Sequence, residues 1–141
     1  MVDGTRRTLA VALWILLHLF LAGRTTYLYL NSDTAAGPLD AGIRSGPHRQ
    51  EKFATKMLSL GVAITGAAIS FKRRAFGFGL MAASYLVETA RLEVFHVREG
   101  GPIFDGQFMI PWMWLIVGLL FFWMALVAHQ REARSACGED P

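Results

Sequence analysis

Apolar residues in this chain do not alternate with polar ones. They gather into four long blocks with short polar stretches between them. The first block, Leu9–Gly23, reads LAVALWILLHLFLAG and continues through Thr25 and Tyr29 to Leu30. The second runs from Phe53 to Phe71, and the third opens with thirteen uncharged residues from Ala75 to Val87. The fourth, Phe108–Ala128, has no charge in 21 residues. At ~1.5 Å of rise per residue, a helix over each block is long enough for a ~30 Å hydrocarbon core. The pattern predicts an all-α integral membrane protein, a four-transmembrane-helix bundle with antiparallel neighbours. We place its helices at about 8–30, 53–71, 75–97 and 108–129 in a single membrane domain over residues 1–141. An outer loop over 31–52 and a polar C-terminal tail over 130–141 complete it.

The connections support this layout. Lys72-Arg73-Arg74 is too short for anything but a tight antiparallel hairpin, while the Gly-, Pro- and Ser-rich 31–52 reads as an irregular loop. Pro111 falls in the first turn of the fourth helix, where its missing N–H costs nothing. Upstream of Arg24, Leu21 and Phe20 stand where a leader peptidase wants small residues, so we expect the first helix to span uncleaved.

Composition agrees: 53% of residues are hydrophobic, 18% are charged, and mean hydropathy is +0.35. A net charge of +3 is too small to suggest nucleic acid as a partner. Four crossings put both termini on the side of the 72–74 link, and that side holds Arg6, Arg7, Lys72, Arg73, Arg74, Arg131 and Arg134. The other side has as many cations spread over more than twice the length, a bias that predicts cytoplasmic termini. Lys72, Arg73 and Arg74 are expected at the lipid interface, against anionic headgroups. Tyr27, Tyr29, Trp112 and Trp114 are expected to form an aromatic belt at the outer one.

The third helix carries the densest chemistry, in VETARLEVFHVREGG at 87–101. At ~100° per residue, Gly77, Met81, Ser84 and Glu88 share one stripe, and Leu86, Ala90, Val94 and Val97 lie opposite its C-terminal half. Glu88 falls ~10 Å inside the outer hydrocarbon edge, where a carboxylate facing lipid is costly. It should face inward, with Arg91 at i+3 as its sequence-local counter-charge. On the first helix, Val11, Trp14, His18, Ala22, Thr25 and Tyr29 share a face, with His18 near mid-membrane. Lys56 is read as snorkelling from the start of the second helix. That helix, with Ser59, Gly61, Ala63, Thr65, Gly66, Ala67, Ala68 and Ser70, is suited to close packing against neighbours.

No Ser/His/Asp arrangement, phosphate-cradling loop or Cys/His cluster occurs, and Cys137 is the single cysteine. Three function classes follow. The favoured one is a non-catalytic accessory or structural subunit of a larger membrane complex, packing through small-residue and aromatic faces. Its partner-facing candidates are His18, Ser84, Glu88, Arg91, Trp112 and Trp114. The second is a small oligomeric transporter or channel using Glu88, Arg91 and His18. The third is a metal- or haem-associated redox protein using Glu93, His96 and His48. Glu93 and His96 have the Glu-x-x-His spacing of diiron bundles, but one copy supplies only part of such a site. The abundant aromatics leave room for a bound lipid, quinone or pigment. Membrane lipids and other membrane subunits are the expected partners.

Overall fold

The computed structural model describes residues 2–31, 48–101 and 109–136. They form four α-helices and no strand: α1 (Val2–Leu30), α2 (Arg49–Ile69), α3 (Arg74–Arg98) and α4 (Met109–Ala136). Most of the expected outer loop, the 102–108 connection and the end of the tail lie outside the described residues. Two boundaries differ from expectation. Helix α2 begins at Arg49, inside the segment assigned to the loop, and α4 runs to Ala136, well into the expected polar tail. Both extensions are built from charged and polar residues of good helix propensity, which a search for apolar blocks passes over.

Three stretches are long and apolar enough to cross a membrane: Thr8–Leu30, Arg49–Ile69 and Pro111–Ala136. Helix α3 is not among them. Its polar residues are turned inward: Ser84, Glu88 and Arg91 are buried with Gly77, Met81, Ala82, Tyr85 and Phe95. Consecutive helices pack as neighbours, and α3 lies between α2 and α4 with its most extensive contact on α4.

The α2–α3 seam has a regular spacing. Gly77, Met81, Ser84, Glu88, Arg91 and Phe95 of α3 follow steps of four and three, as do Lys52, Lys56, Ser59, Ala63 and Gly66 of α2 with Ser70 just past its end. This is the period that keeps one stripe facing a neighbour along its whole length. The stripes meet head to tail across the turn at residues 70–73. At the turn end, a Cβ on Gly66 would stand 2.8 Å from the Gly77 carbonyl oxygen, and one on Gly77 only 2.5 Å from the Ser70 backbone. The two backbones approach so closely because neither position has a side chain. Further along, the core gathers Ala67, Met81 and Tyr85, with Trp14 from α1 and Trp114 and Phe121 from α4 packed against them.

Gly77→Ala should therefore lower unfolding stability by about 1–3 kcal/mol through overpacking. Gly79→Ala, where a Cβ meets nothing within 4 Å, should be neutral or slightly stabilising. Thermal unfolding of the two variants in the same detergent distinguishes them.

Candidate functional site

The α2–α3 seam ends in a buried ion cluster. Glu88 is 2% exposed, and both its carboxylate oxygens are engaged. Lys56 Nζ donates to Oε1 at 2.6 Å. Arg91 Nη2 donates to the same oxygen at 2.6 Å and Arg91 Nε donates to Oε2 at 2.8 Å. The Arg91 contact is a two-pronged fork, the stronger geometry for a guanidinium on a carboxylate. Two cations against one anion leave the cluster with an excess positive charge. Aromatic faces stand beside both: Lys56 Nζ is 5.4 Å from the Trp114 ring centre and the Arg91 guanidinium 6.0 Å from that of Phe95.

Further ion pairs line the end of the seam beyond it. Lys52, itself 2% exposed, binds Glu99, and Arg98 reaches Glu51 at 3.3 Å. His48, whose backbone is left-handed (φ 73°), meets the same Glu51 carboxylate at 3.2 Å. Arg49 donates to the Tyr29 carbonyl and lies over its ring at 4.6 Å, which ties α1 to the start of α2. In the other direction, Ser59 and Ser84 exchange bonds: Ser84 Oγ donates to the Ser59 carbonyl at 2.7 Å, and Ser59 Oγ to that of Ser84 at 3.1 Å.

A second polar element sits among aromatic rings. His18 Nδ1 is 2.8 Å from the Trp14 carbonyl, which can only accept, so Nδ1 carries the proton. In the neutral ring Nε2 then accepts from the Tyr85 hydroxyl, 2.6 Å away. The Tyr85 ring stacks on Trp114 (centres 5.4 Å apart, 9° between planes) and on Phe121 (5.7 Å, 14°). Trp14 closes the group against Phe121 at 5.5 Å. A polar pair is thereby satisfied in an apolar setting without water.

The residues singled out in the sequence fall into three groups. His18, Ser84, Glu88 and Arg91 all turn to the interior, so they bind partners within this chain. Trp114 also turns inward onto Tyr85, and Tyr29 stacks on Phe53 at 4.2 Å; Tyr27 and Trp112 are exposed. Among the described residues, no three His, Cys, Asp or Glu side chains gather to hold a metal ion. His48 and Arg98 share Glu51, and the turn at Gly100 (φ 89°) brings Gly101 over the His96 ring. Both nitrogens of His18 are committed to hydrogen bonds within the chain.

Lys56 corrects a further expectation. It does not snorkel; its side chain is 12% exposed and points at Glu88. Lys52 behaves in the same way. Their sequence signal was the continuation of the small-residue stripe, since 52 and 56 extend the spacing of 59, 63, 66 and 70.

No family model matches this chain, and no curated protein or solved structure matches it either.

Replacing Glu88 by Gln should cost about 3–5 kcal/mol, because Lys56 and Arg91 are then left buried without a counter-charge. Lys56→Met should cost markedly less, since the Arg91 fork on Glu88 survives and the cluster becomes neutral. Tyr85→Phe should cost about 1 kcal/mol by leaving His18 Nε2 without its donor. Chemical or thermal unfolding of the three purified variants gives the order directly.

Proposed function

We propose that this protein is a four-span integral membrane protein with cytoplasmic termini, acting as a non-catalytic accessory subunit of a larger membrane complex. What supports the reading is a second face of α2 with small residues. Ala54, Gly61, Thr65 and Ala68, with Leu58 among them, point away from α3 and are largely exposed, and a Cβ on Gly61 would touch nothing within 4 Å. On the face toward α3, small residues at the turn end, Ala63 and Gly66, let α3 approach to backbone contact at Gly66 and Gly77. Small residues at this spacing let another helix approach closely in lipid.

The other outer surfaces have a different character. Helices α1 and α4 display Leu13, Leu16, Phe20, Ile116, Phe122 and Trp123, large side chains suited to lipid. Glu88, on which a transport reading depends, is held by three donors within 2.8 Å, a geometry that favours a lock over an exchangeable site.

Gly61→Leu tests the docking face without disturbing the fold, because the site is open in this chain. Purified gently from its native membrane, the wild-type protein should bring down larger membrane partners in fixed ratio, and Gly61→Leu should lose them while keeping its helicity and unfolding temperature. Recovery of the wild type as a homo-oligomer alone would refute the accessory role.

A further inference from the structure

Two adjoining cavities at the end of the bundle that holds the 70–73 turn differ in chemistry. The one at the mouth, of about 510 Å³, is ringed by Lys72, Arg74, Arg131 and Glu132, with Trp123 and Val127 on its wall. The deeper one, of about 340 Å³, is apolar and draws on all four helices, with Val11, Trp14, Ala67, Met81 and Phe121 among its lining. They share Arg74, Phe78 and Met124, so the basic mouth opens onto the apolar cleft. Each volume is within the ~300–1,000 Å³ range of small-molecule sites.

The charges at the mouth are not balanced. Three cations face one carboxylate, and Glu132 Oε1 accepts from the Ala75 N–H at 3.3 Å, at the start of α3. Among the described residues no carboxylate lies within ion-pair distance of Lys72, Arg74 or Arg131. The contrast with the opposite end is sharp, because there Lys52, Lys56, Arg91 and Arg98 are all paired. A cationic rim above an apolar slot, at the depth where α2 turns into α3, complements one kind of molecule: an amphiphile with an anionic head and a hydrocarbon tail.

We propose that this groove holds one anionic phospholipid. Its phosphate sits among Lys72, Arg74 and Arg131, and one acyl chain runs into the cleft along Val11, Trp14, Phe78 and Phe121. Met124 and Phe78, lining both cavities, form the passage between head and tail. Trp123 at the mouth flanks the glycerol level, where indole rings sit well. The proposal rests on the membrane setting and is independent of any partner subunit.

Native mass spectrometry of the detergent-purified full chain provides the test, with phosphatidylglycerol, phosphatidylcholine of the same chains, and free glycerol phosphate as probes. One phosphatidylglycerol should stay bound per chain under conditions that strip phosphatidylcholine, and glycerol phosphate should not compete. Replacing Lys72, Arg74 or Arg131 by Gln should lower retention about fivefold each. Glu132→Gln should raise it. Ala10→Phe, which narrows the cleft and leaves every charge in place, should also lower it. Equal retention of the two lipids overturns the proposal. So does full retention in Ala10→Phe, which would mean surface charge alone, or effective competition by glycerol phosphate. Should a variant fail to fold, brominated-chain phosphatidylglycerol at a minor fraction in phosphatidylcholine vesicles gives a second reading on the wild type. Tryptophan quenching beyond that of brominated phosphatidylcholine supports the site, and equal quenching removes it.

Discussion

A carboxylate buried between helices has to find its counter-charges there, and much of this architecture depends on where Glu88 finds them. One is local, Arg91 a turn away on α3. The other, Lys56, comes from α2 and fixes which residue of α2 faces which residue of α3. Once that contact is set, a common period places Ser59 against Ser84 and Gly66 against Gly77. Sliding the helices by one turn would break the ion cluster, orphan two hydroxyls and drive side chains into backbone together. Each loss is expensive in a medium without water to replace the missing bonds.

The four helices divide the work. In α2 a third of the apolar span is buried (33%), against 11% in each of α1 and α4. The inner helices have small and polar residues at their contacts and so depend on close approach and specific bonds. The outer ones have Leu, Phe and Trp, which fill space against neighbours of any shape. His18 and Tyr85 join the two groups: a single hydrogen bond from α1 to α3, enclosed by aromatic rings, gives an otherwise greasy helix one defined orientation. Specificity in this bundle thus comes from a few polar contacts set in apolar surroundings.

Much of this was legible in the sequence. Uncharged blocks located the helices, and the wheel put Gly77, Met81, Ser84 and Glu88 on one buried stripe. Depth alone required Glu88 to face inward, and the i, i+3 spacing identified Arg91 as its partner. What escaped were the contacts set by register between helices. Lys56 looks like a snorkelling lysine when α2 is read alone, because only the pairing with α3 shows that its stripe points inward. Trp114 lies two residues from Trp112 on nearly the opposite side of α4, and nothing local says which of them turns inward; the stacking on Tyr85 does. The polar ends of α2 and α4 were missed for a simpler reason, since helical structure there does not coincide with hydrophobicity. Metal ligation by Glu93 and His96 rests on spacing alone, and among the described residues no third His, Cys, Asp or Glu gathers with them.

The pairing of Lys56 with Glu88 also bears on how such a chain enters a bilayer. Helix α3 contains its own neutralising pair, Glu88 with Arg91, whereas the inward-facing stripe of α2 has Lys52 and Lys56 with no anion of its own. A lysine turned into apolar surroundings without a counter-charge is costly. Alone, α2 leaves that cost unmet, and the relieving carboxylate lies 32 residues further along the chain. The four-residue turn at 70–73 is short enough for α3 to fold back onto α2 as soon as it appears. Placed in a bilayer, the two helices would share that cost as a hairpin, because the turn brings Glu88 back against Lys56. The ion cluster that sets the register of α2 on α3 thus also supplies, across the turn, the anion that α2 lacks.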